Sequence, residues 1–406
     1  MDLSNKILES REERKRYIAS LTKDFQIISV KANIPGLNKN TKEAYVIVNH
    51  FTRLIEELKP IKIEKHESLD GIYVLFYFDK EKVLKDKTIY LEEHDEIGRF
   101  VDLDVYLDSN PLSRNTLRKC FLCDDYAFVC QRNKKHSLEE ISEFIRTNVL
   151  KYLEKNIKNI IDESILEELN MEDKFGLVCP SSNGSHKDMN YDLMIKAKNA
   201  IIDDIWKIFQ YGYENDDLND IKDKIRKIGL DAEEKMMIAT GNINAYKGLI
   251  FVLGMIATSV GYKISRSIDL SIFDIVKILC KDITLELKDG CDTFGKYAYQ
   301  RYGIGGAREE AENGFINIQY VLERYNLNDD LKEALVYLII NCDDTTLLKR
   351  CGDIDKYNSI KEEFKKEKDY LRLSKKCIED NLSFGGAADL LVTSIFIKKA
   401  QEMFKI

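Results

Sequence analysis

The placement of proline constrains the fold of this chain more than any other feature of its sequence. All four prolines, at positions 35, 60, 111 and 180, lie in the first 180 of 406 residues. Because proline removes a backbone donor and clashes with the preceding helical turn, the proline-free run that follows can be helical throughout. Its apolar residues recur with helical periodicity, as in DLMIKAKNAIIDDIWKIF and DDLKEALVYLII. The sequence therefore predicts an all-α domain here.

The part of the chain before this run has a mixed pattern. Helical patterns at ILESREERKRYIASL and EAYVIVNHFTRLIEELK alternate with strand-like runs at FQIISVKANI, GIYVLFYF, KTIYLEE and GRFVDLDVYLD. A chain of 47.1 kDa is also long for a single core. We therefore predict two domains, an α+β domain over residues 1–155 and an all-α domain over 156–406, with the boundary in the Lys-rich stretch Leu150–Asp162.

Charge and composition exclude several classes of function. The formal net charge of −8 gives no electrostatic reason to expect a nucleic-acid or anionic-membrane partner. The longest uncharged run, Gly248–Tyr262, is shorter than the ~20 residues of a membrane span, so we expect a buried helix. Nine cysteines, an odd number, without an export signal indicate reduced thiols. The expected location is the cytoplasm.

Two aspartates lie on one face of the last predicted strand. In GRFVDLDVYLD, the two-residue repeat of a strand puts Asp102 and Asp104 on the side opposite Leu103. Like charges side by side repel unless a positive group lies between them, and paired carboxylates commonly hold a divalent ion against a triphosphate. An exposed polar face is the alternative that periodicity alone favours. We predict a metal site here.

Nearby arginines support a phosphate site beside the aspartates. Ser113 and Arg114 follow the strand, and Arg11 and Arg14 lie one helical turn apart near the N-terminus. Guanidinium groups match phosphate oxygens in geometry, although each of these arginines could equally form a surface ion pair. We therefore assign Arg114 to catalysis and Arg14 to binding of the phosphorylated substrate.

A compact group of metal-ligand residues follows the aspartates. The spacing is Cys120-x2-Cys123-x6-Cys130-x5-His136. Three thiolates and an imidazole satisfy the tetrahedral preference of zinc, and a closed set of four leaves no position for a reacting water. The alternative is a set of unrelated buried thiols. We predict a structural zinc knuckle.

Five polar, glycine-rich segments lead into helices of the proline-free part. They are LVCPSSNGSHKDMNYDLMI, TGNINAYKGLIFVLG, YGIGGAREEAENGF, NCDDTTLLKRCGD and NLSFGGAADLL. Each could be ordinary capping (with Ser185 or Asn183 as the cap in the first), a solvated face or close helix packing. Five in one α domain predict a shared phosphate and metal cleft. The side chains assigned to it are His186, Lys187, Asp188, Lys247, Arg308, Glu309, Glu312, Asp343, Asp344, Arg350, Gly385, Gly386 and Asp389.

The first domain resembles a known enzyme family. NIPG, GRFVDLDVY, the Ser113–Arg114 pair and the C-x2-C-x6-C-x5-H block, in this order, are similar to the apo-citrate lyase phosphoribosyl-dephospho-CoA transferases, over about Ile7 to Tyr152. The resemblance implies a nucleotidyltransferase-like domain. It would move a phosphoribosyl-dephospho-CoA group onto a serine of the apo acyl carrier protein of citrate lyase and release pyrophosphate. A magnesium ion would then lie between the paired aspartates and the triphosphate of the donor.

The second domain resembles the triphosphoribosyl-dephospho-CoA synthases from about Gly176 to the C-terminus. This implies that ATP and 3′-dephospho-CoA give 2′-(5″-triphosphoribosyl)-3′-dephospho-CoA and adenine, again with magnesium. A ribose hydroxyl attacks the anomeric carbon of ATP, which calls for cations, a base and a carboxylate. By type, the lysines and arginines of the five segments are the phosphate candidates and the acids share the metal and base roles. Tyr246 and Cys351 depart from the family pattern, which has histidine and glycine there.

The two resemblances together predict a bifunctional enzyme that matures citrate lyase. One alternative keeps the chemistry but serves the carrier protein of a malonate decarboxylase. Another is a zinc-stabilised scaffold without catalysis that binds a carrier protein or a nucleotide. Acids gathered around a triphosphate-sized cleft would favour the enzyme, and acids scattered over solvent-facing surfaces would favour the scaffold.

Overall fold

The protein forms two compact units. A computed structural model describes residues 2–114 and 116–406. The first unit runs to Asn156 and also takes in Ile264–Ser267 and Glu402–Ile406, and the second unit contains the rest. The division at Asn156 falls inside one long helix.

The first unit is a small sheet with helices, as expected for an α+β domain. Its strands pair antiparallel in the order β2-β3-β1-β4-β5. In chain order the elements are α1 (Leu3–Leu21), β1 (Gln26–Ala32), α2 (Lys42–Glu56), β2 (Lys62–His66), β3 (Tyr73–Phe78), α3 (Lys85–His94), β4 (Val101–Leu107), β5 (Asn110–Pro111), α4 (Ala127–Asn133) and α5 (Leu138–Leu169).

Helices cover both faces of this sheet. Ile18 of α1 packs in one apolar cluster with Ile27 of β1 and Tyr73 of β3. Every residue of β3 is buried, so the opposite face is covered as well, and α2 contacts β1, β3 and β4. Burial of these apolar side chains, at about 1.5–3 kcal/mol each, is the main stabilisation of the unit.

Two expectations about local structure in this unit are wrong. KTIYLEE is part of helix α3 and not a strand, because Thr88 and Glu92 lie four residues apart on the buried side of a helix that packs on β4. Gly98–Phe100 forms a 3₁₀ turn, so Phe100 precedes β4. Strand β2 was not predicted from the sequence. It is an exposed edge strand, and its residues do not alternate between apolar and polar.

The second unit is helical, as predicted, and no β-strand occurs among its residues, all of which are described. After the C-terminal part of α5 come α6 (Tyr191–Glu214), α7 (Leu218–Ala239), α8 (Lys247–Ile264), α9 (Ile272–Leu279), α10 (Phe294–Tyr302), α11 (Gly306–Glu312), α12 (Ile316–Arg324), α13 (Leu331–Asn341), α14 (Thr345–Cys351), α15 (Ile354–Lys366), α16 (Tyr370–Glu379) and α17 (Gly385–Phe404).

Helix α8 is a long, strongly apolar helix of the second unit. Within the described residues, it alone combines the length and hydropathy of a membrane span, but 67% of it is buried inside the fold. Core helices of folded domains have the same composition, so this is weak evidence for a membrane. The prediction of a buried helix at Gly248–Tyr262 is confirmed.

Candidate functional sites

The paired aspartates of the first unit share one face of the sheet. In the antiparallel register of β1 and β4, Lys31 lies opposite Asp102 and Ser29 lies opposite Asp104. Both aspartates are partly exposed, whereas Leu103 between them is fully buried. The alternation inferred from the sequence is therefore confirmed, and the two carboxylates open on the same side.

Arg118 supplies one of the positive charges that such a pair requires. Its guanidinium forms an ion pair with Asp102 through Nη1 and with Glu92 through Nη2. The pKa of Asp104 is raised by its burial and, second, by the charge of Asp102. Among the described residues, no hydrogen bond or ion pair reaches the Asp104 carboxylate. Arg118 was not predicted to be a site residue, because it comes close to β4 only when the chain folds.

Arg114 joins the same network from the other side. It contacts Glu92 Oε2 at 3.3 Å and Glu93 Oε1 at 2.7 Å, both on α3. Glu92 is buried and accepts a hydrogen bond from the backbone N–H of Leu103 at 2.7 Å. Arg114 is thus tied to the aspartates through Glu92 and does not pair with them.

Arg14 lies on α1 with its guanidinium against a buried carboxylate. It contacts Asp70 Oδ2 at 3.1 Å through Nη2, and Arg11 contacts Oδ1 at 3.1 Å. The Lys31 ammonium lies 3.6 Å from Asp70 Oδ1. Asp70 and Lys31 were not singled out by the sequence, since 56 residues separate Asp70 from Arg14.

The cysteine and histidine side chains meet as predicted. Ligand atoms of Cys120, Cys123, Cys130 and His136 all lie within 4.8 Å of one another. Cys123 Sγ is 3.4 Å from Cys130 Sγ and 3.3 Å from His136 Nε2. Tetrahedral zinc with Zn–S bonds of about 2.3 Å would separate its sulfurs by about 3.8 Å, so the donors fit one ion. The hydrogen bond from His136 lowers the pKa of the Cys123 thiol, whereas burial raises the pKa of the Cys130 thiol.

The second unit contains a cavity of about 460 Å³ beside the N-terminus of α8. Lys247 and Arg308, two of the predicted phosphate ligands, line it together with Thr345. One wall is apolar and is formed by Ile208, Ile225, Leu230, Ile250, Phe251, Met255, Leu279, Ile283 and Leu287. Apolar walls with a few charged groups are typical of ligand sites of this size.

Charged side chains pair with one another at the cavity. Lys247 Nζ lies 2.8 Å from Glu233 Oε2. Arg226 contacts both oxygens of Glu286 at 2.7 Å, and Arg308 Nε lies 3.7 Å from the same carboxylate. Arg226 and its neighbour Lys222 were missed because α7 reads in sequence as a charged, solvent-facing helix.

Asp344 joins two of the predicted segments. Its fully buried carboxylate caps α14, accepting hydrogen bonds from the N–H groups of Thr346 at 2.8 Å and Leu347 at 3.0 Å. It also accepts one from Ala387 N at 3.1 Å, at the start of α17. A Cβ at Gly386 would lie 3.1 Å from its Cγ, so glycine allows this close approach. Asp344 is therefore a structural cap.

Asp389 lies against the cavity. A Cβ at Gly248, a lining residue, would come within 2.1 Å of Asp389 Oδ2. Burial, and second the charge of Asp344, raise the pKa of Asp389 well above its usual value. The hydroxyl of buried Tyr246 has no hydrogen-bond partner among the described residues. Burial and then the charges of Glu168 and Asp389 raise its pKa.

The remaining acids lie around the short helix α11. Glu309 accepts a hydrogen bond from Gly305 N at 3.1 Å, while Glu312 accepts one from Thr284 Oγ1 at 2.5 Å. The two glutamates therefore have different partners. Burial raises the pKa of Asp343, which also lies near the backbone of Gly305, another residue of the cavity wall.

His186 and Arg350 form a separate contact. Arg350 Nη2 lies 3.2 Å from His186 Nδ1, and Ser383 Oγ lies 3.0 Å from His186 Nε2. Burial, and then the charge of Arg350, lower the pKa of His186. This brings the NGSHKDM segment, Arg350 and the segment before Gly385 together, although His186 and Arg350 do not line the cavity.

Lys187 and Asp188 lie in the exposed loop before α6. The cap of that helix is Asn190, whose side chain accepts a hydrogen bond from Leu193 N, so Ser185 and Asn183 are not its cap. Of the positions assigned to the cleft, the structure places Lys247 and Arg308 in the cavity lining, and Glu309, Asp343 and Asp389 against its wall at Gly305, Gly306 and Gly248. It leaves Lys187 and Asp188 in solvent.

Comparisons with known proteins match two parts of the chain to two different families. The family model for apo-citrate lyase phosphoribosyl-dephospho-CoA transferase matches residues 3–152, and the one for ATP:dephospho-CoA triphosphoribosyl transferase matches residues 154–406. The chain therefore belongs to the family that fuses these two transferases.

Relatives of full length share the fused architecture. A CitXG protein from Leuconostoc mesenteroides subsp. cremoris is 30% identical over 97% of this chain and 96% of its own length. The CitXG protein of Haemophilus influenzae is 29% identical over 96% of this chain and 94% of its own length. A 2-(5″-triphosphoribosyl)-3′-dephosphocoenzyme-A synthase from Haemophilus ducreyi is 31% identical over 68% of this chain. The chain is a bifunctional transferase of citrate lyase maturation.

Proposed function

We propose that the two units catalyse consecutive steps. The second unit would make 2′-(5″-triphosphoribosyl)-3′-dephospho-CoA from ATP and 3′-dephospho-CoA, with release of adenine. The first would transfer the phosphoribosyl-dephospho-CoA group to a serine of the apo acyl carrier protein of citrate lyase, with release of pyrophosphate. The observation that carries this proposal is the full-length match to CitXG proteins, with both transferase families in one chain. A cytoplasmic location follows, because the cytoplasm supplies ATP.

In the second unit, we assign binding of the ATP triphosphate to the cavity. Lys247 and Arg308 would contact its oxygens, and Lys222 and Arg226 would add positive charge. The apolar wall suits an uncharged group such as the adenine ring. Magnesium, if held there by carboxylates, would neutralise triphosphate charge.

The glycosyl transfer in this cavity needs a base. The ribose 2′-hydroxyl of dephospho-CoA would bond to the anomeric carbon of ATP, lose its proton, and displace adenine, whose N9 takes up a proton. Asp344 is a poor base since three backbone N–H groups occupy its oxygens. Asp389 is the better candidate, because burial raises its pKa, which makes its carboxylate a stronger base, and because it adjoins the cavity wall at Gly248.

The geometry of the first unit supports phosphoryl transfer. Asp102 and Asp104 would hold magnesium, which would polarise the triphosphate of the donor. The serine hydroxyl of the carrier would lose its proton to solvent as its oxygen bonds to the phosphorus atom attached to the ribose of the donor. The bond from that phosphorus to the next bridging oxygen would break, and pyrophosphate would leave with the bonding electron pair. Arg118, fixed beside Asp102, would help to neutralise charge on the leaving group. This arrangement is what we mean by nucleotidyltransferase-like.

The cysteine and histidine cluster would carry a structural zinc ion. Its three sulfurs and one nitrogen fill four coordination positions, so it would stabilise the fold around Arg118 and take no part in the reaction. The scaffold alternative is not favoured, because both halves of the chain match transferases. A malonate decarboxylase carrier would be distinguished by offering each apo carrier protein to the enzyme.

Two variants test the two-site proposal together. Asp104→Asn should abolish labelling of the carrier and leave adenine release intact. Lys247→Ala should raise the KM for ATP about 10- to 150-fold, since one charged hydrogen bond contributes about 1.5–3 kcal/mol, and leave labelling from pre-made donor intact. If either variant loses both reactions while folded, the two-site proposal is wrong.

A further inference from the structure

A fully buried carboxylate in the first unit holds two arginines edge-on. Asp70, in the loop between β2 and β3, has 0% of its surface exposed. Arg11 approaches its Oδ1 with Nε and Nη2, both at 3.1 Å, and Arg14 approaches its Oδ2 with Nε at 3.2 Å and Nη2 at 3.1 Å. Each oxygen thus fixes one planar guanidinium, and the Nη1 side of Arg11 faces away from the carboxylate.

Two lysines complete a cation cluster, which we define as Arg11, Arg14, Lys31 and Lys39. Lys31 Nζ lies 3.6 Å from Asp70 Oδ1, and Lys39 donates a hydrogen bond to the carbonyl of Ile34 at 2.5 Å. The side chains of Arg14 and Lys31 are only 9% and 12% exposed. Within the cluster, one carboxylate therefore faces four cations in a poorly solvated place, and such an excess of charge favours an anionic ligand.

The position of the cluster indicates which anion it would bind. Lys31 is directly opposite Asp102 in the sheet register, and Asp104 follows on the same face. The charge of Asp102 acts on both Lys31 and Lys39. Metal-binding carboxylates and a cation cluster thus lie side by side, which is the arrangement needed to hold a polyphosphate chain from two sides.

We infer that the cation cluster is the triphosphate-binding half of the carrier-labelling site, with Asp70 as its positioning residue. Arg11, Arg14, Lys31 and Lys39 would contact the oxygens of the departing pyrophosphate. Asp70 would touch no substrate and would act by fixing the two guanidinium planes. This inference rests on the function proposed above for the first unit.

The test uses the full-length protein and carrier labelling from pre-made donor. Asp70→Asn removes the charge that orients the arginines but keeps the size of the side chain. Inorganic triphosphate serves as the probe, and its Ki against labelling reports on this site alone. We expect the KM for donor and the Ki for triphosphate to rise at least about tenfold. This is the smaller effect seen when a carboxylate that orients a metal ligand is removed, and Asp70 would orient the two arginines in the same way. Adenine release should not change.

Two further variants separate positioning from a purely structural role. Asp95→Asn is the matched control, since Asp95 also pairs in this unit, with His50 at 2.9 Å, but lies outside the cluster. It should leave KM and Ki unchanged. If Asp70→Asn fails to fold, Arg11→Gln tests the same site at a side chain that is 37% exposed. This variant should also raise the KM for donor and the Ki for triphosphate.

The inference is overturned if folded Asp70→Asn or Arg11→Gln keeps the wild-type Ki, or if Asp95→Asn shifts the Ki equally. Failure of the wild-type protein to label the carrier would instead overturn the proposed function itself.

Discussion

Replacing Gly248 by alanine should disable the second unit through a single side chain. Gly248 is the second residue of α8 and lines the cavity. An added Cβ would lie 2.1 Å from Asp389 Oδ2 and 3.3 Å from its Cγ. Since carbon and oxygen atoms in contact remain at least about 3.3 Å apart, the carboxylate oxygen must move by about 1 Å or more.

The size of the effect follows from this displacement. A misplacement of about 1 Å in a catalytic group can reduce a rate about 100-fold. Alanine in a helix interior is otherwise favoured over glycine by about 1 kcal/mol, so weakening of α8 would not explain a loss. We expect adenine release from ATP and dephospho-CoA to fall about 100-fold. Labelling of the carrier from pre-made donor should continue at the wild-type rate.

Gly295→Ala is the matched control. Gly295 lines the same cavity, yet a Cβ there would meet no atom within 4 Å. Adenine release by this variant should equal that of the wild type. Full activity of Gly248→Ala, or an equal loss of activity in both glycine variants, would show that displacement of Asp389 is not the cause.

Three further outcomes are expected. Cys123→Ser should reduce the metal content and the melting temperature of the first unit. Cys291→Ser, at an exposed thiol outside the cluster, should change neither. A metal-free wild-type protein that is as stable as the metal-containing protein would contradict the zinc assignment. Burial lowers the pKa of Lys31 to about 8, so kcat/KM for carrier labelling should fall as pH rises through about 8, and Lys31→Arg should remove this inflection. Glu286→Gln should lower the KM for ATP about two- to fivefold by freeing Arg226 and Arg308, and an unchanged KM would show that Glu286 does not compete with phosphate.

Periodicity and proline placement predicted the helical half well because both are local properties of the chain. The apolar run at Gly248–Tyr262 became a core helix, and the alternation around Leu103 became a strand with its two aspartates on the face opposite Leu103. The segment KTIYLEE was wrongly predicted to be a strand, because threonine, isoleucine and tyrosine favour strands. Packing of Thr88 and Glu92 toward β4 decides in favour of helix there.

Site chemistry was predictable where the ligands are close in sequence. The three cysteines and the histidine of the cluster lie within 17 residues, and their side chains meet as expected. In contrast, Arg118 reaches Glu92 across 26 residues, and Arg11 reaches Asp70 across 59. No periodic signal marks such pairs, because the contact is made by the fold and both partners look like ordinary surface charges.

The most direct test of the two proposed reactions is to incubate the purified chain with ATP, magnesium, 3′-dephospho-CoA and the apo acyl carrier protein of citrate lyase. Free adenine is followed by chromatography and the carrier by intact mass. We expect adenine only when dephospho-CoA is present, and a carrier heavier by one phosphoribosyl-dephospho-CoA group. Adenine release without dephospho-CoA, or a carrier of unchanged mass after adenine has formed, would contradict the two consecutive steps proposed for this chain.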